Sequence, residues 1–248
     1  MQSHALEMAH VSAAARAGNG RFNFYAEIHK ALRAYMADTL VRVGRADPAD
    51  VAELQHTVAQ VAELLDFCAS HVAHENGFIH PALEARRPGV SGPVADDHVG
   101  HLHHIAHLRD AAQGLLVCDA AEREAGLQAL YLALALFVAD NLQHMHVEET
   151  VHNQALWDTY TDLELIALHN ALVASIPPAE NMLVMRWMIP NINAPQRAAV
   201  LGGMRQGAPA EAFQAVMDTV RPHLNDRDWG KLTGDLGMAA VPGLATAG

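Results

Sequence analysis

Two short stretches carry the chemistry. The chain reads HVAHE from His71 to Glu75 and HMHVEE from His144 to Glu149. On a helix, His71 and Glu75 stand one turn apart on one face, as do His144 and Glu148. Both stretches are set among Leu and Val, where a charged group costs several kcal/mol unless something pairs with it. A metal cation satisfies imidazole and carboxylate together. His29, His98 and His101 fall on apolar stripes of two further helical segments and enlarge the donor set. Imidazole with carboxylate suits iron, manganese or zinc better than calcium, which prefers oxygen throughout. The five imidazoles, two bridging carboxylates and a bridging oxygen from water fill all but one of the roughly twelve positions of two octahedral irons. The remaining position suits a small ligand such as dioxygen. If only one of His98 and His101 ligates, a second position opens, which favours redox chemistry on a substrate. Glu149, one residue past the stripe, is the alternative to Glu148.

Other side chains read differently. His103 and His107 have metal-pair spacing, but His103 lies about 200° round the helix from His101, so both should face solvent. His146 is off its stripe for the same reason, and His74 is ambiguous. Tyr25 is a core residue that can also cap the pocket or hydrogen-bond a bound oxygen. Cys68 reads as packing.

Four long helical patterns must position these groups. They run from about Arg21 to Val43, from Asp47-Pro48 as N-cap and first turn to Arg86, from Val94 to Val117, and from Arg123 to Leu156. Apolar stripes stepping by three and four pass through each. The first takes Phe22, Tyr25, His29, Leu32 and Met36. The second takes Leu54, Val61, Leu64, Cys68, His71, Glu75 and Phe78. The third takes Val94, His98, His101, Ile105, Leu108, Ala112 and Leu115, and the fourth Leu130, Leu134, Phe137, Asn141, His144, Glu148 and Val151. The expected fold is all-α, an up-down-up-down four-helix bundle followed by a small bundle of shorter helices. Its parts are a flexible N-terminus (1–19), the bundle (20–156), an all-helical extension (157–236) and a tail (237–248). The extension divides into helices over Asp162–Ser175, Pro178–Met188, Pro195–Met204, Pro209–Val220 and Asn225–Leu232. One step strains this picture: counted from Ala46, His29 and His71 stand 17 and 25 residues from the first corner. A straight hairpin would separate them by about 12 Å. Either the first helix continues past Gly44 or residues near 43–52 make an irregular corner.

Composition agrees with packed helices, with Ala and Leu frequent and aromatics few. A formal charge of −12 argues against nucleic acid or an anionic membrane as partner. The two cysteines, Cys68 and Cys118, suit a reducing compartment. Neither a signal sequence nor an apolar run of about 20 residues is read, so a soluble, cytoplasmic protein is expected. Histidine is the outlier, with 17 copies.

With these residues in order, the chain from about Phe22 to Leu156 resembles the haemerythrin-like, HHE cation-binding, domain family. The resemblance rests on His29 in FYAEIHKALR, on HVAHE, on a histidine opening the third helix and on HMHVEE. It implies a four-helix bundle around a non-haem di-iron centre, with His29, His71, Glu75, His144 and Glu148 as ligands and His98 and His101 as further candidates. The third helix has His-x-x-His where animal haemerythrins have His-x-x-x-His, and their last carboxylate corresponds to Glu149. The expected function is binding or sensing of a small oxidant, dioxygen or nitric oxide. The alternatives are a redox enzyme, such as one that breaks down peroxide, and an iron-dependent regulatory or structural module. The last would act on a protein partner, or self-associate, through the C-terminal helices.

Overall fold

The computed structural model describes residues 11–18 and 20–238. The expectations for residues 1–10 and for most of the tail lie outside the described residues. Among those described, every regular element is helical and no strand is present.

α1 spans Ala26–Arg45. It begins later than the periodicity suggests, because the Asn23 side chain accepts hydrogen bonds from the backbone N–H of Tyr25 and Ala26 and holds residues 22–24 out of the helix. α2 spans Val51–His74, continues through a π-helical turn at Glu75–Ile79 and ends as an α-helix at His80–Arg86. Its cap is Asp50, which accepts from the N–H of Ala52 and Glu53. Asp47, the expected cap, instead accepts from the N–H of Ala49 within the corner. α3 spans Gly92–Val117. α4 runs over Ala120–Thr159, with a second π-helical turn at Glu148–His152. α5 is Asp162–Ser175. By length and apolar composition α4 could cross a membrane, which the reading of apolar runs did not anticipate; a third of its most apolar window is buried (33%).

The chain divides into two units. One comprises the described residues up to Ala26 with Tyr35–Ser175; the other comprises Glu27–Ala34 with the residues from Ile176 onward.

Within the first unit, neighbouring helices pair antiparallel. Tyr35 on α1 donates to Glu63 on α2 at 2.6 Å, while Gln60 donates to Asp38 at 2.7 Å. Arg109 on α3 reaches Asp66 on α2, and His98 reaches Asn76. His104 and Asp97 on α3 lie against Asp140 and His144 on α4. Residues near the two ends of α1 meet α4 in reverse order: Gly44 lies so close to Tyr131 that a Cβ would stand 2.8 Å from the ring, and Tyr25 meets His152. The partners of Tyr35 lie further from the corner than Tyr35 itself does, so residues 46–50 form an irregular, staggered corner and α1 stops at Arg45.

The inward stripe of α3 is the expected one: Val94, His98, His101, Ile105, Leu108, Ala112 and Leu115 are its buried residues. On α2 and α4 the stripe changes course at the π-turns. Phe78 and Val151, expected inside, are half-buried and 48% exposed, whereas Ile79, His80, His152 and Asn153 are buried. A π-turn spends one extra residue per turn, and this rotates the residues that follow.

An apolar cluster closes this end of the unit, with Phe24, Tyr25, Ile79, Leu83, Leu156, Trp157 and Leu165 at its centre. Trp157 Nε1 donates to the Phe22 carbonyl at 2.7 Å, and Arg21 bonds Asp162 and the carbonyls of Trp157 and Tyr160. Cys68 is buried and burial pushes its thiol up to about 12, so it serves as packing.

In the second unit, α6 (Pro178–Asn191), α7 (Ala194–Gly207), α8 (Ala210–Val220) and α9 (Asp226–Asp235) bury Ile189, Leu201, Val216, Met217, Val220 and Leu232. α6 runs past Met188 and includes Pro190. Its last carbonyls, at Ile189 and Pro190, accept hydrogen bonds from the buried Arg197 guanidinium, which also pairs with Asp228. Asn193 and Gln196 form a capping box on α7, and Gln196 also bonds Glu27 and Lys30.

The corner between α2 and α3 turns at Gly89, whose φ of +86° suits glycine. Glu84 holds it by accepting from the N–H of Gly89 and from the N–H and hydroxyl of Ser91. Those bonds, Gly89 first, bring the Glu84 carboxyl down to about 2. A depressed carboxyl contributes stability above its unfolded-state pKa and loses it as the folded-state pKa is approached from above. Glu84→Gln should therefore lower the melting temperature at pH 7, and its deficit relative to wild type should shrink as pH falls from 4.5 toward 2. A deficit of constant size across that range, followed by calorimetry, would contradict this role.

Candidate metal centre

The site lies where the π-turns of α2 and α4 face α3. Glu75 and Glu148 open these turns and are 1% and 0% exposed. His71 precedes Glu75 by one turn, its Nε2 at 3.1 Å from Glu75 Oε1. His144 stands in the same relation to Glu148, with Nε2 at 3.4 Å from Oε1. From α3, His98 directs Nε2 between the two carboxylates, 3.4 Å from Glu75 Oε2 and 3.9 Å from Glu148 Oε1. Glu75, His98, His144 and Glu148 each offer a ligand atom, all within 4.8 Å of one another, and His71, Glu75 and Glu148 form a second such group.

The outward nitrogens are anchored. His98 Nδ1 lies 2.8 Å from Asn76 Oδ1 and His144 Nδ1 lies 3.4 Å from Asp97 Oδ2. A ring that donates from Nδ1 to oxygen is neutral when Nε2 is left as a lone pair, the form that binds metals. The two Nε2 atoms face each other across 3.0 Å. Two facing lone pairs beside two carboxylates repel unless a proton or a cation sits among them.

Of the residues singled out in the sequence, His71, Glu75, His98, His144 and Glu148 converge here. His101 is buried beside them, its ring edge-on to His144 with centroids 4.7 Å apart, but it belongs to neither group. His29 is fully buried on α1, in the stretch 27–34 that clusters with the C-terminal unit. His103, His107 and His146 are exposed, as their helical angles require, and His74 and Glu149 are half-buried.

Two buried histidines were not read from the sequence. His80 and His152 form a third group with Glu148, their ligand atoms again within 4.8 Å. His80 stacks on His98 with the rings 5.0 Å apart and 3° from parallel. His152 Nδ1 lies 3.3 Å from the buried Tyr25 hydroxyl. His152 follows Glu148 by four residues, so a stripe step of four there would have found it. His80 follows Glu75 by five and reaches the site only through the extra residue of the π-turn.

The electrostatics separate the rings. Burial, with neighbouring imidazoles, brings His80, His101 and His152 each down to about 4. Burial also pushes His144 down, but the hydrogen bond and charge of Glu148, with Glu75 and Asp97, outweigh it and raise its pKa. Burial raises the Tyr25 hydroxyl well above its usual range, and the charges of Glu148 and Glu75 add to this. Three imidazoles near the two buried carboxylates are thus neutral at pH 7, and two of them, His80 and His152, share a ligand group with Glu148 that fits a divalent transition metal.

If the orientation of His98 matters for binding, Asn76→Ala should weaken Zn²⁺ affinity by roughly 10–100-fold, the usual cost of losing such an anchor. Calorimetric titration of the metal-free protein measures this; an unchanged affinity would show that the Asn76 bond is incidental. No protein-family model, curated protein or solved structure matches the chain.

Proposed function

We propose that the first unit is an up-down-up-down four-helix bundle of haemerythrin-like type that holds two iron ions and binds or senses a small oxidant, dioxygen or nitric oxide. The antiparallel pairing of α1 with α2, α2 with α3, α3 with α4 and α4 with α1 supports the bundle. The approach of His98 Nε2 to His144 Nε2, 3.0 Å apart between Glu75 and Glu148, carries the metal reading. A cation that accepted both lone pairs would turn a repulsive contact into shared ligation.

In this reading Glu75 and Glu148 would hold the ions from both sides, with His71 in one ligand group and His98 and His144 in the other. His29 joins the set on the sequence pattern and its complete burial. Bound iron supplies reversible binding of a small oxidant and the electrons to reduce it. The protein supplies the rest. Asn76 and Asp97 fix the rings, and the apolar cluster around Phe24, Leu156 and Trp157 keeps water from that end of the pocket. Tyr25 places a hydroxyl that stays protonated at neutral pH within reach of the site.

The purified chain, expressed in iron-rich medium, should contain close to two irons. After anaerobic reduction and exposure to air it should show a near-ultraviolet and visible charge-transfer band that azide shifts. His71→Ala should lose iron and the band. A colourless, iron-free wild type would overturn the proposal, and manganese or zinc found in its place would reassign the metal.

A further inference from the structure

Glu148 takes part in all three ligand groups found among the described residues, and the third of these, with His80 and His152, has no place in the two-ion reading. We propose that His80, Glu148 and His152 form a further divalent-cation position beside the pair, weaker than the pair and filled after it.

Four observations lead there. All three residues are at least nine-tenths buried, at 6%, 0% and 0% exposure, and offer ligand atoms within 4.8 Å of one another. His80 Nε2 is buried and has no hydrogen-bond partner among the described residues, a costly arrangement in a dry pocket unless a ligand meets it. His152 has its Nδ1 3.3 Å from the Tyr25 hydroxyl, and its buried Nε2 has no hydrogen-bond partner among the described residues; when that hydroxyl accepts from Nδ1–H, Nε2 is left to bind, as in His98 and His144.

The last observation concerns what the fold gives up. Uninterrupted α-helices would carry Phe78 and Val151 along the apolar stripes. The π-turns leave these two apolar residues partly or largely in solvent and bury two imidazoles instead. Packing alone favours the opposite exchange. π-turns within α-helices are frequent at functional sites, and here two of them, on different helices, converge on one carboxylate.

Two imidazoles and one carboxylate form the set that holds iron(II) with open positions in non-haem sites. The order of filling follows from charge. Glu75 and Glu148 bring two negative charges to two dications, and Glu148 has only two oxygens to share, so a further dication meets charge that is already net positive.

The proposal rests on the two-ion reading, and the test separates the two. The metal-free full-length chain is titrated with Co²⁺ by equilibrium dialysis, and bound metal is counted by mass spectrometry. Wild type should bind two equivalents tightly and one more at least tenfold more weakly. The double variant His80→Leu, His152→Leu should keep the tight pair and lose the weak equivalent, with its helical circular dichroism unchanged. If this variant fails to fold, His80→Gln alone should lose the weak equivalent. Wild type that stops at two equivalents overturns this position and leaves the pair intact. Wild type that binds none overturns both readings. A folded variant that loses the tight equivalents makes His80 and His152 part of the pair and overturns a separate position.

Discussion

Two buried carboxylates set the terms for this fold. Glu75 and Glu148 come from different helices, are removed from water and lie near each other, so their charge must be met inside the pocket. Of the buried imidazoles around them, His144 is shifted toward its charged form, while His80, His101 and His152 are shifted toward the neutral form that donates a lone pair. Four helical segments must stay in register for these groups to meet. Ion pairs and hydrogen bonds at several levels, such as Arg109 with Asp66 and Tyr35 with Glu63, link those segments between the corners and the pocket.

The anchoring of the rings follows one pattern. His98, His144 and His152 each engage an oxygen through Nδ1, supplied in turn by an amide, a carboxylate and a phenol. None of these oxygens lies on the helix whose histidine it holds, so each bond also ties two segments together. The polar pocket and the packing around it therefore depend on the same contacts, and a change in one of them would disturb both.

Much of this was legible in the sequence. A step of three and four found every buried residue of α3, because Val94 to Leu115 is one straight α-helix with one apolar face. The same step brought His71, Glu75, His144 and Glu148 to the inside, since each pair precedes its π-turn. It failed just beyond Glu75 and Glu148, where the backbone leaves the 3.6-residue period of the α-helix. Phe78 and Val151 were misplaced there, and His80 and His152 were missed. The start of α1 was misjudged for another reason: the Asn23 side chain outcompetes the helix for the first backbone donors. The extension of α6 through Pro190 depends on Arg197, a distant partner that local pattern cannot reveal.

The two π-turns also tie the length of the chain to its chemistry. Each differs from an ordinary α-helical turn by a single residue. Deleting one position within 76–79 would let α2 continue as an unbroken α-helix with His80 four residues after Glu75, on the same face. A substitution that straightened the turn without removing a residue would instead swing everything beyond it by about 100° about the axis. Helical content would barely register that change, while His80 and Leu83 would turn away from the interior, as Leu156 and Trp157 would on α4. At these two places the inward face depends on residue count and turn shape together.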